Sequence, residues 1–183
     1  MFAKKIEYAI MEKSEVKKMS LIETYEFNSI IDDIANHEEF LKLKEELHHG
    51  ISRYEHSMRV AKATYKMTKK LHLDYERATR AALLHDFFFD EELKEYNSKE
   101  TLKLHPEYAL ENALKYFDVD TKQANMIRAH MYPVYLERPK YAESWLLTVA
   151  DKLVAAHEMY RYKAALTIGI WTIFLFNMIT IQK

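Results

Sequence analysis

Six ionisable side chains of this sequence stand where a soluble chain ordinarily places aliphatic ones. In RAALLHDFFFDEE, residues 80–92, His85 and Asp86 follow Ala81, Ala82, Leu83 and Leu84 and precede Phe87, Phe88 and Phe89. Asp151 repeats the pattern inside LLTVADKLVAA, and His56, His105 and His130 occupy further apolar, helical settings. Burying a lone carboxylate is costly unless something neutralises it. A single histidine in such a place is more often an ordinary core residue. Two acids together with four histidines at separate apolar positions are explained far better by convergence on divalent cations, because a metal supplies the missing positive charge. A donor set of nitrogen and oxygen without sulfur suits manganese, iron, magnesium, cobalt or nickel and argues against structural zinc.

The elements that must position these side chains read as helices nearly throughout, so the expected fold class is all-α. Two glycines and three prolines in 183 residues leave little material for the turns of a sheet protein. Residues 1–48 are charged with helical spacing, for example Leu21, Tyr25, Ile31 and Ile34, and break at Gly50. From Ser52 to about Leu71 the positions His56, Val60, Ala63 and Met67 share one helix face. Asp74 is placed to cap a helix running into His85. Pro106 suits the first position of a helix with Leu110, Ala113, Leu114 and Phe117 as its apolar stripe. Asp120 with Gln123 forms a capping box for the helix carrying His130, and MYPVYLERPK must be a loop. A long helix then spans about Tyr141–Tyr160, with Leu146, Val149, Leu153 and Ala156 inward. Three parts follow: an N-terminal helical extension 1–48, a bundle domain 49–162 and a hydrophobic segment 163–183.

Residues 164–181 are an uncharged run near the minimum length for a hydrocarbon core, with Arg161 and Lys163 before it. That layout fits a tail anchor holding a cytoplasmic domain to the inner face of the membrane. It fits equally a closing helix buried in the domain or in a dimer interface, and Thr167, Thr172, Thr180, Asn177 and Gly169 weaken the membrane case. The N-terminal helices pack on the domain or mediate homodimerisation. A net charge of −1 gives no footprint for stable nucleic-acid binding. The absence of cysteine excludes disulfides, thiolate sites and a cysteine nucleophile and fits a reducing compartment. The charged N-terminus MFAKKIEYAIMEKSEVKK is not a secretory signal.

His56 in RYEHSMRVA, the pair in AALLHD and Asp151 in VADK occur in this order on separate helices, and about residues 50–160 resemble the HD-domain metal-dependent phosphohydrolase superfamily. His105 in HPEYA and His130 in RAHMYP match the extra histidines of members holding two metals, closest in layout to the branch that includes symmetrical dinucleoside-tetraphosphate hydrolases. The resemblance implies that His56, His85, Asp86 and Asp151 hold a first ion, that His105 and His130 hold a second, and that Asp86 bridges both; it also favours iron or manganese. It implies attack of metal-activated water on the phosphorus of a nucleotide or a similar small phosphorylated molecule. Arg59 and Lys152 are the candidate phosphate contacts beside Asp86 in the catalytic set. Glu107 is either an acceptor orienting a ligand histidine or an acid serving the helix dipole. Phe87, Phe88 and Phe89 replace the small residue and lysine or glycine of many two-metal members. They serve as core packing or as a pocket wall that stacks a base, so the branch's substrate does not carry over. Of the other histidines, His37 and His72 read as exposed, His48 and His49 as cleft rim, and His157 as packing or solvent-facing. The alternative function is a non-catalytic nucleotide-binding sensor or scaffold using the same metal site.

Overall fold

The computed structural model describes the backbone of residues 2–48, 50–135 and 137–181, and the side chains of 19–47, 50–135, 137–164 and 166–168. The elements are α1 (Phe2–Ala35), α2 (Glu38–Leu41), a 3-10 turn (Lys42–Lys44), β1 (Leu47–His48), β2 (Ile51–Ser52), α3 (Arg53–Lys70), α4 (Tyr75–Leu84), α5 (Asp90–Leu93), α6 (Ser98–Tyr116), α7 (Thr121–Ala129) and α8 (Ala142–Ile181). Apart from the two-residue antiparallel ladder of β1 and β2, the fold is the expected all-α bundle.

Local capping chemistry sets the helix starts. The Ser52 hydroxyl accepts from the Glu55 amide and starts α3, and the Asp74 carboxylate accepts from the Arg77 amide and starts α4. Asp120 and Gln123 close a reciprocal box at α7, as their spacing predicts. Pro106 does not begin a helix: α6 starts eight residues earlier at Ser98, and the proline lies inside it. Asn97 and Glu100 form a capping box there, and one interior proline costs about 3 kcal/mol, which the rest of a 19-residue helix outweighs.

Helix α4 occupies the middle of the bundle, touching α1, α3, α6, α7 and α8. Ala78, Ala81 and Ala82 are wholly buried on it, and such small side chains let neighbouring helices approach closely. The core continues through Phe27, Ile31 and Ile34 of α1, Phe40 and Leu43, Val60 and Ala61 of α3, Met126 and Ile127 of α7, and Leu147 and Ala150 of α8. Several expected stripes are rotated. Leu21 and Tyr25 are exposed while Phe27 takes their place, and Leu114 of α6 is exposed. On α8, Val149 and Leu153 face outward whereas Ser144, Leu147, Thr148, Ala150 and Asp151 face the bundle. On α3 the buried face runs through Ser57, Val60, Ala61, Thr64 and Thr68, with Ala63 and Met67 only part-buried. Buried serine and threonine blur the apolar pattern, and the true inward face lies about one residue, or about 100°, away from the one the aliphatics mark.

His37 is not simply exposed: it is part-buried, caps α2 by accepting from the Glu39 amide at 3.2 Å, and packs against Tyr116 and Phe117. His72 and His157 are exposed, and the side chains of His48 and His49 lie outside the described residues. Gly50 turns between β1 and β2 with φ +86°, where any side chain would be strained, and a Cβ there would stand 3.2 Å from the Tyr162 ring of α8.

α8 runs on without a break to Ile181. Tyr160, Tyr162, Leu166 and Ile168 are exposed on it, so these side chains are not buried within the domain. Most of the uncharged run 164–181 lies outside the described side chains; among the described residues, no helix is long and apolar enough to cross a membrane.

Glu143 ties three elements together, accepting from the Asp74 amide at 3.1 Å and from the Lys122 ammonium at 2.6 Å. Burial raises its pKa, but the bonds from Lys122 and the backbone outweigh this and hold it below its usual 4.5. A depressed folded-state pKa contributes stability above the unfolded value that is lost as pH falls through the folded one. Glu143→Gln is therefore expected to cost about 1–2 kcal/mol in urea unfolding at neutral pH. That deficit should shrink as pH drops below 4.5, because the wild type then loses the same charge.

Candidate metal centre

Four histidines reach the same place from four helices, each oriented by an oxygen on its outer nitrogen. His85 and His130 end α4 and α7, where the last carbonyls lack helical donors. Their Nδ1 atoms donate to the Ala82 carbonyl at 2.8 Å and the Ile127 carbonyl at 2.7 Å. His105 donates from Nδ1 to the Thr101 carbonyl at 3.0 Å, one turn back in α6. His56 donates from Nδ1 to the Glu158 carboxylate of α8 at 2.8 Å. Carbonyls and carboxylates only accept, so every ring carries a proton on Nδ1 and turns Nε2 inward.

Asp86 lies among these nitrogens with its two oxygens shared between two pairs. Oδ1 is 3.4 Å from His105 Nε2 and 3.5 Å from His130 Nε2. Oδ2 is 3.5 Å from His85 Nε2 and 3.9 Å from His56 Nε2. Asp151 comes from α8 to the second pair, its Oδ1 at 3.2 Å from His56 Nε2 and 3.7 Å from His85 Nε2. Three overlapping groups have their donor atoms within 4.8 Å of one another: His56, His85 and Asp86; His85, His130 and Asp151; and Asp86, His105 and His130.

These residues fit a divalent cation. His85 Nε2 and Asp86 Oδ1 are buried without a hydrogen-bond partner, a costly state that an ion relieves. The Nε2 atoms of His105 and His130 are 3.0 Å apart with lone pairs facing each other, and two nitrogens bound about 2.1 Å from one ion at right angles are about 3.0 Å apart.

Protonation divides the cluster: burial opposes charge on His85, but Asp86 and Asp151 outweigh it and raise its pKa. Burial and the neighbouring His85 and His105 push the His130 pKa down to about 3, and burial holds His105 below its ordinary value, so both are neutral donors. Burial works against ionisation of Asp86 and Asp151, yet the surrounding histidines hold both well below the usual carboxylate range. Burial also opposes charge on His56, but bonds to Asp151 and Glu158 and the charge of Asp86 outweigh it and raise its pKa to about 10. A cation entering beside His56 displaces that proton, so binding tightens as pH rises.

A cavity of about 310 Å³ opens over the cluster, with His56, Asp86, His105, His130 and Asp151 in its lining. The aromatic run divides its work. Phe87 is fully buried against Phe40, Tyr116 and Phe117, whereas Phe88 lines the cavity with its ring 5.1 Å from that of His105. Phe88 is 6 % exposed and forms part of the cavity wall.

Arg59 and Lys152 do not line the cavity. Arg59 pairs with Glu158 at 2.9 Å, and the Lys152 ammonium donates to the His130 carbonyl at 3.1 Å. Glu107 orients no histidine: it pairs with Arg128 at 2.8 Å and accepts from the Tyr135 hydroxyl. The orienting acid is Glu158, and the cation in the lining is Arg53, neither marked by the sequence reading. Arg53 donates to the Phe88 carbonyl at 2.9 Å and pairs with Glu46 and Asp90, its guanidinium centred 3.8 Å over the Phe88 ring. A signal for each existed: Glu158 follows Asp151 by seven residues, two turns on the same face, and Arg53 stands three residues before His56.

Adding Mn²⁺ to chelator-treated protein at about 100 times its dissociation constant should stabilise the fold by about 2.7 kcal/mol, raising Tm by about 5–10 °C. The rise should vanish in Asp86→Ala and diminish between pH 8 and pH 6 as the His56 proton competes, both read by differential scanning fluorimetry.

A family model described as HD domain matches residues 53–156, which spans every one of these donors. No curated protein and no solved structure matches the chain. With more than half its length covered by that model, the chain belongs to the HD domain family, whose members are generally metal-dependent phosphohydrolases.

Proposed function

We propose that this protein is a metal-dependent phosphohydrolase that cleaves a phosphate ester or anhydride of a nucleotide or similarly small phosphorylated molecule. The observation that carries the proposal is the division of Asp86, one oxygen toward His105 and His130 and the other toward His56 and His85. In this reading Asp86 is shared by two ions, His56, His85 and Asp151 complete one donor set, and His105 and His130 the other; iron or manganese is the favoured metal. Divalent cations held there supply a water of lowered pKa as nucleophile and offset the charge that develops on the phosphoryl oxygens.

The protein's own part is positional. The four Nδ1–H anchors hold each imidazole with Nε2 directed inward; His105 and His130 already present a lone pair there, and His56 does so once a cation displaces its Nε2 proton. Arg53 locks the Phe88 carbonyl and ring, and Phe88 in turn backs the His105 imidazole. Phe88, Met131 and Met159 face the cavity and keep solvent from part of the cluster, which strengthens electrostatic interactions inside.

The test is release of phosphate or nucleotide from a panel of nucleotides, dinucleoside polyphosphates and simple phosphomonoesters by Mn²⁺- or Fe²⁺-loaded protein. Turnover should fall to background in Asp86→Asn. Glu158→Gln should lose about 10- to 100-fold in activity or metal affinity, because the His56 tautomer is then held less firmly. Bound metal with no turnover across the panel would sink the proposal.

A further inference from the structure

We infer that the substrate of this site carries a single phosphate on a compact, largely apolar body, and that nucleoside polyphosphates are poor substrates. The inference rests on the phosphohydrolase reading and concerns what the cavity admits. Two observations motivate it: the charge of the cavity wall and its chemistry.

Among the described residues that line the cavity, Arg53 is the one Lys or Arg side chain, against the carboxylates of Asp86, Asp90, Asp151 and Glu158. Arg53 is itself committed, 5 % exposed and bonded to the Phe88 carbonyl, Glu46 and Asp90. Arg59 is held by Glu158, and the Lys152 ammonium by the His130 carbonyl. Asp90 and Glu158 are already paired with Arg53 and Arg59, so two divalent cations set against Asp86 and Asp151 leave positive charge for one phosphoryl group at the metal cluster. Each further phosphate brings more negative charge into a wall whose cations are already paired, and an unpaired charge there is strongly disfavoured.

Away from the cluster the wall is Ile51, Phe88, Leu102, Met131, Ala155 and Met159. Among the described residues of the lining, Thr101 is the single uncharged polar side chain apart from the cluster histidines, and no asparagine or glutamine is present there to read the edge of a base. Recognition of the substrate body therefore runs on shape and apolar contact, with two flexible thioethers able to adapt to different groups. The volume, about 310 Å³, lies at the small end for ligand cavities and suits a body of one ring system.

The test compares kcat/KM of the Mn²⁺-loaded full chain for 1-naphthyl phosphate, AMP, ATP and diadenosine tetraphosphate at constant free Mn²⁺. We expect the monoesters to exceed both polyphosphates by at least about tenfold. A polyphosphate turned over as well as or better than the monoesters would overturn the inference while leaving the hydrolase reading intact. If nothing is turned over, the hydrolase reading fails. Thermal stabilisation of the Mn²⁺-loaded protein then decides this inference: a larger shift with naphthyl phosphate than with tripolyphosphate supports it, and an equal or smaller one overturns it. Met159→Lys places a new cation on an exposed part of the wall. It should raise kcat/KM for ATP relative to naphthyl phosphate by about tenfold, and an unchanged ratio would refute the role assigned to wall charge.

Discussion

A carboxylate held among four imidazole nitrogens in a water-poor interior is the constraint on which the rest of this structure depends. Asp86 is ionised there only because opposite charge or a cation lies within a few ångströms, since burial alone would keep it neutral. The histidines can serve only if their lone pairs point inward, and that is settled by what each ring meets on its other side. Three of the four outer partners are backbone carbonyls in the preceding turn of the ring's own helix, so the tautomer is set by helix geometry before any distant contact forms. His56 is the exception: its outer partner, Glu158, is supplied by a different helix.

The scaffold follows from placing that cluster at the end of α4. A helix surrounded by five others needs small side chains on several faces, and Ala78, Ala81 and Ala82 provide them. Leu83, Leu84 and Phe87 then anchor the chain on either side of the His85–Asp86 pair, which leaves the pair little freedom to turn away from the cavity. Arg53, at the start of α3, performs the corresponding task for the segment after Asp86. It neutralises Asp90 and Glu46 and satisfies the Phe88 carbonyl, so a stretch outside any helix is held by a buried charged side chain. The cavity above is consequently apolar at its walls and ionic at its floor.

Much of the helical layout could be read locally. Caps at Ser52, Asp74 and Asp120 act within three residues, and such short-range chemistry is written directly into residue order. The Pro106 boundary was misread because a second local signal, the Asn97–Glu100 box, outweighed it. The inward faces of α3 and α8 were misread for another reason. A helix face is chosen by its neighbours, and Ser57, Thr64 and Ser144 are buried where close helix contact favours small side chains over large apolar ones.

Residue order alone establishes that two acids and four histidines sit in apolar helical settings, a pattern whose energetic cost only cations or a dense polar network can relieve. Tertiary structure decided which of their atoms meet. It gave Asp86 Oδ1 to one histidine pair and Oδ2 to the other, and it brought Glu158 to His56 across 102 residues. It also left Arg59 and Lys152 out of the cavity lining while burying Arg53 in its wall. Helical periodicity and capping are properties of neighbouring residues, whereas these contacts depend on how separate helices approach, and nothing in local residue order encodes that approach.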